Sequence, residues 1–213
     1  MPSAPPNPPP SPGPASSPDP DLASELSALV EAYRSHGDVG VLMDELRAIA
    51  KRSAPGHLKA AAEPYRQLPE VVIPLYEAIV SSPGASGDAQ SIVVLANAYW
   101  LTGRGPEVVG ELASRAIAID AKNRGAWHLW ALAEASVRGR VERWREVVSR
   151  FPADQLARAV LADNATSLAH DEHDPLALDL AIATYEGLLA ETTSAGQRMA
   201  LEGTLRTLRE WKL

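Results

Sequence analysis

One pattern returns five times along this chain, and it leaves few folds open: a stretch that reads as an amphipathic helix, a short turn and a second helix. It is plainest within Asp88 to Asn123, as Leu95-Ala96-x-x-Tyr99-x-x-x-Gly103-Arg104. The same frame stands earlier as Leu29-Val30-x-x-Tyr33-x-x-x-Gly37-Asp38, with Ala61-Ala62-x-x-Tyr65 between them. Tyr33, Tyr65 and Tyr99 are 32 and 34 residues apart. Continuing by that step reaches Trp130-Ala131-x-x-Glu134 and then Asn164-Ala165-x-x-Leu168. The second helices keep pace, with Leu42, Leu46 and Ile49 in the first unit, Val109, Ala113 and Ala116 in the third, and Ala177, Ala181 and Thr184 in the fifth. A helix pair of this size cannot bury its apolar face alone, so a period in this range means stacked pairs sharing one core. Alanine at the contact positions lets two helices approach closely.

In this frame a Leu-small pair, an aromatic, and then alanines recur in order, and the chain resembles a tetratricopeptide repeat protein over Asp21 to Glu191. The resemblance implies an all-α, right-handed superhelical solenoid of about five helix pairs with a C-terminal capping helix. It also implies eleven helices in antiparallel pairs, no sheet, and the three tyrosines at equivalent sites between helices. Units one, three and five follow the pattern, whereas two and four depart from it. Pro64 and Pro74 fall inside the helices of unit two and predict kinks or broken turns there. In unit four Glu134 replaces the aromatic, and the second helix reads as short, about 140 to 151.

The expected boundaries are a Pro/Ser-rich tail over 1–20, units at about 21–53, 56–82, 88–121, 124–152 and 153–191, and a cap over 195–213. The tail, MPSAPPNPPPSPGPASSPDP, cannot build a core and reads as a locally polyproline-II segment, either inert or offered to a partner's aromatic groove. Asp19 or Asp21 and Asp88 stand where helix N-caps are needed, Asn123-Arg124-Gly125 opens the fourth pair, Ala153-Asp154 starts the fifth, and Pro175 suits a first helical turn. Met199, Leu201, Leu205, Leu208 and Trp211 mark the capping helix.

Several functions are disfavoured by composition. The chain has no cysteine, which excludes disulfides and thiol catalysis. No apolar run approaches the roughly 18 residues of a membrane span, and no secretory signal is visible. The expected location is cytoplasmic, or periplasmic if an anchor or signal once preceded this sequence. A net charge of −7 argues against general nucleic-acid binding. The charge is uneven: 121–158 holds eight Lys or Arg against four acids, and 159–197 holds seven acids and no base. Such polarity could orient a charged partner or simply mark solvated helix faces. Arg138, Arg140, Arg143, Arg145 and Arg150 surround Trp144, but Glu142 and Glu146 interleave with them, so a salt-bridged outer helix is preferred to a nucleic-acid surface. His170-x-x-His173, flanked by Asp171, Glu172 and Asp174, has zinc-ligand chemistry. It falls in an expected turn before Pro175 rather than on one helix face, so no tightly held metal is expected. No cofactor motif is present.

The resemblance points to the first helices as the walls of a binding groove. Carried over unit by unit, its groove positions fall on Arg34, Lys59, Arg66, Val93, Asn97, Trp100 and His128, alongside Glu31 and Glu63. Tyr99 faces the neighbouring pair in the frame, and one residue further is about 100° around the helix, so Trp100 turns toward the groove. Its indole either packs on the next helix or meets a partner. The expected function is therefore a non-enzymatic adaptor holding a peptide segment or protein face, with no cofactor. A narrower resemblance runs through GRGPEVVGELASRAIAIDAKNRGAWHLWALAEASVRGRVERW, which is similar to the C-terminal repeats of bacterial c-type cytochrome biogenesis factors and implies apocytochrome as the partner. A structural subunit using the outer face is the third reading, and an enzyme built on His170 and His173 the last.

Overall fold

The structure, a computed structural model, describes residues 20–82 and 87–211. Within them the chain forms eleven α-helices and no strand. It divides into two compact units, 1–85 and 86–213, each with its own packing. The Pro/Ser-rich tail, including Asp19, lies outside the described residues.

In the first unit α1 (Pro20–His36) and α2 (Val39–Arg52) are joined at Gly37, and α3 (Pro55–Ala62) and α4 (Pro69–Ser81) follow. Gly37 has φ 72°, and its N–H donates to the carbonyl of Tyr33. That left-handed turn is why the frame needs glycine there, since a Cβ disfavours it. Asp38 then caps α2 by accepting from the N–H of Val41. Leu26, Leu42, Leu46, Leu58, Leu75 and Tyr76 fill the core, each at most 1% exposed. Pro64 does what a helix-interior proline should. It ends α3 at Ala62, and the chain tightens into a 3-10 turn over Glu63–Tyr65. Pro74, by contrast, sits inside α4, which continues to Ser81 with every residue from Val71 to Tyr76 buried. Packing on all sides holds the helix where propensity alone would break it.

These differences correct one expectation. Tyr33 sits half-buried within α1, Tyr65 half-buried in the 3-10 turn, and Tyr99 buried near the end of α5. The sequence step is regular, but the three rings are not in equivalent surroundings.

The second unit holds α5 (Ala89–Leu101), α6 (Pro106–Ile119), α7 (Arg124–Leu132), α8 (Val137–Arg150), α9 (Gln155–Glu172), α10 (Pro175–Glu191) and α11 (Ala195–Arg209). Each packs on the next, and α5 also touches α7. Side-chain N-caps open α5, α7, α8, α9, α10 and α11, from Asp88, Asn123, Ser136, Asp154, Asp174 and Ser194 in turn. Gly103 repeats the role of Gly37, again at φ 72°. One buried cluster runs from Trp127 through Trp144, Leu161, Leu168 and Ala181 to Leu205 and Leu208. Leu205 and Leu208 tie α11 to it, so this helix covers the last apolar face as a solenoid cap must.

In unit four the lengths are reversed from those expected. The second helix, α8, has fourteen residues, and the first, α7, has nine. Glu134, which stands in the aromatic's place, lies beyond the end of α7. Its carboxylate accepts from the N–H and hydroxyl of Ser136 and pairs with Arg143 at 2.8 Å. The hydroxyl of Ser136 then caps α8 through the N–H of Gly139. A chain that turns at Glu134 gives up helix on one side and gains it on the other.

Candidate functional site

The candidate site forms on the first helices of the pairs in the second unit. α5 is almost wholly interior, and only Gln90, Asn97, Trp100 and Leu101 are exposed. Asn97, Trp100 and Leu101 lie on neighbouring turns, with Asn97 three residues from Trp100 and four from Leu101, and Gln90 stands two turns before Asn97. Tyr99 is 7% exposed, with the guanidinium of Arg104 lying 4.4 Å from its ring centre. Trp100 beside it is 38% exposed and Leu101 61%. An indole and an isobutyl group thus stand in solvent at the end of a buried helix, with one amide beside them. A buried position would have removed most of that apolar area from water, at about 25 cal/mol per Å².

Val93 lies two turns back on α5 and is 9% exposed. It packs where α7 crosses: a Cβ built on Gly125 would sit 3.1 Å from Val93 Cγ1. Gly125 therefore allows the close crossing, and Val93 forms a floor between the two helices. At the same crossing the side-chain amide of Asn123 donates to Gln90 at 3.3 Å.

His128, on α7, links this floor to α9. Its Nε2–H donates to Oδ2 of Asp154 at 2.7 Å, and its ring stands edge-on to Trp144 with centres 5.2 Å apart. Asp154 also accepts from the N–H of Ala157 as the cap of α9, and Arg124 reaches it at 3.6 Å. Burial alone would push this carboxyl up. The Ala157 N–H, His128 and Arg124 together outweigh that and hold it below the usual carboxylate range. The Asp154 cluster was not visible as a unit in the sequence. Asp154 reads as the start of a helix pair and His128 as a wall residue, and nothing periodic joins positions 26 apart.

In the first unit Arg34 is exposed and pairs with Glu31 at 3.8 Å along α1. Arg66 follows the 3-10 turn and pairs with Glu63 at 2.9 Å. Lys59 is half-buried on α3. Val93, Asn97 and Trp100 share α5, and His128 stands on α7, one turn beyond the Val93 contact at Gly125.

The other motifs fall as follows. His170 belongs to α9, which runs to Glu172, and not to the turn as expected. Its ring packs beside Trp211, with centres 5.8 Å apart. His173 is the left-handed cap at φ 51°. Among the described residues no three His, Cys, Asp or Glu side chains gather as a metal site requires. Four of the five clustered arginines are engaged internally. Arg138 pairs with Glu172 and Asp174, and Arg140 donates to Asn164 and to the carbonyls of Glu134 and Ala135. Arg143 lies over Trp130 at 4.6 Å, and Arg150 over Trp127 at 4.2 Å. Trp144 is 1% exposed and has no face open to a base.

No family model matches the chain, and no curated protein matches it. Among solved structures, the crystal structure of MamA protein is similar. The alignment covers 82% of this chain and 97% of that one, at 14% identity and a TM-score of 0.55. At that identity the likeness speaks for the fold, a TPR-like helical repeat.

Proposed function

We propose that this protein is a non-enzymatic interaction module that holds a peptide segment or protein face against α5 and α7, with Trp100 as its anchor. One observation carries the reading. On a helix otherwise buried, the chain leaves an indole in water beside an amide and a second apolar side chain. Aromatic anchors of this kind dominate interface energies when a partner removes them from water. Val93 would floor the contact, and the hydrogen bond from His128 to Asp154 would keep the α7 wall in place. A TPR-like fold supports a protein partner, and no helix among the described residues is long and apolar enough to cross a membrane. The resemblance to cytochrome biogenesis repeats would narrow the partner to an apocytochrome, but the α5 strip favours no such segment over another apolar one.

The test begins with peptides selected from a display library on the full chain. Trp100→Ala should weaken the selected peptides about thirtyfold, the equivalent of roughly 2 kcal/mol. Its helical circular dichroism should match the wild type. A variant that unfolds, or that binds as tightly as the parent, overturns the assignment.

A further inference from the structure

The second unit carries another unfilled surface, away from the α5 strip. Both α8 and α10 pack on α9 but make no substantial contact with each other, which leaves a groove along α9 between them. The groove has two compartments of about 440 and 390 Å³. Leu161 floors the first and Leu168 the second. Arg145 and Leu180 line both, so they stand at the join. Val148 on one bank and Leu176, 77% exposed, on the other add apolar surface. The corresponding cleft between α6 and α8 differs, because Arg143 lies over Trp130 there and is itself paired to Glu134.

Arg145 is the odd member of its cluster. Arg138, Arg143, Arg150 and Arg158 each hold a carboxylate. Among the described residues Arg145 holds none, nor does Glu142 one turn earlier on α8 hold a base. The first compartment is mainly apolar, whereas the second sets Leu168, Leu176 and Leu180 among Arg138, Glu142 and Asp174. Arg138 already holds Asp174, so at the join the unpaired guanidinium of Arg145 is the group complementary to an incoming carboxylate flanked by apolar side chains.

Spacing decides the form of the ligand. Seven residues of α9 separate the two floors, about 10.5 Å of helical rise. An incoming helix matches this with apolar side chains seven apart and an acid midway, all on one face. An extended segment would span it in about three residues, and odd steps along a strand point to opposite faces. We propose that the α8–α10 groove binds an amphipathic helix of a partner protein, with apolar residues at i and i+7 in the two compartments and an Asp or Glu at i+3 or i+4 on Arg145.

Gly187 offers a clean block. It lines the first compartment, and a Cβ built on it meets nothing within 4 Å. Gly187→Leu should therefore fill the groove without a clash and, by replacing a mid-helix glycine, leave the melting temperature unchanged or raised. The probe is a fluorescein-labelled, Ala/Gln-rich helical peptide with leucines seven apart and a glutamate midway, titrated into the full chain by fluorescence anisotropy. Saturable binding is expected, weakened at least tenfold by Gly187→Leu and by Arg145→Glu. A peptide with lysine in place of the glutamate should bind Arg145→Glu better than it binds the wild type. A peptide with leucines five apart should bind at least tenfold more weakly. Absence of saturable binding, indifference to Gly187→Leu, or failure of the charge swap would overturn the proposal. So would concentration-dependent self-association of the chain abolished by Gly187→Leu, because the groove would then belong to a second copy.

Discussion

Asp154 is a nearly buried carboxylate with three partners of different kinds: the Ala157 N–H, the His128 ring and the Arg124 guanidinium. Its lowered pKa sets the sign of its pH dependence. The stability it contributes is fully present above the unfolded carboxyl value, about 3.9, and is lost as pH falls through the lower folded value. Asp154→Ala should cost about 1–3 kcal/mol near neutral pH, from a lost cap and an unpaired, half-buried histidine. In urea unfolding followed by circular dichroism, the gap between variant and parent should be widest near neutrality and shrink below about pH 4. A gap that grows on acidification would contradict this description of the cluster. The sequence showed Asp154 at the start of a helix pair because the signals that open a helix are local. It did not show the pairing with His128, which depends on how α7 and α9 are brought together.

At the scale of the element, the crossing of α5 and α7 decides whether Val93 and Trp100 belong to one surface. Gly125 is its hinge point, with Val93 Cγ1 3.1 Å from where a Cβ would be. Gly125→Val should destabilise by about 1–3 kcal/mol through overpacking. Gly125→Ala should come out near neutral, since up to about 1 kcal/mol of helix propensity offsets a small shift of Val93. Urea midpoints of the two variants check this, and a neutral Gly125→Val would show that the crossing is looser than described. Existence of the helices was legible from the Leu-small-aromatic frame, and their ends from Gly37, Gly103, Asp88, Asn123 and Asp154. The division of length between α7 and α8 was not. It turns on Glu134 accepting from Ser136 and pairing with Arg143, and a side-chain network of that kind leaves no period in a sequence. Pro74 was misleading for a related reason: the packing around α4 overrides what proline does in an isolated helix.

For the whole chain, the uneven charge of the sequence acquires a structural meaning in the second unit. The basic stretch and the acidic stretch after it meet side by side: Arg138 holds Glu172 and Asp174, and Arg158 holds Glu191. Much of the polarity is thus used in joining α8, α9 and α10, and less is left for a distant partner. Tyr185, whose hydroxyl donates to Asp163, makes a further link between α9 and α10, and burial pushes its phenol up to about 12. On α5, by contrast, the largest group left open is the apolar indole of Trp100. The most direct test of that claim is the indole N–H region of an amide-correlated NMR spectrum, where the five tryptophans of the chain report separately. On titration with a selected peptide, the Trp100 indole peak should move saturably, with the same dissociation constant that anisotropy gives, while the Trp144 peak stays in place. Saturable binding that leaves the Trp100 indole unmoved would contradict the account.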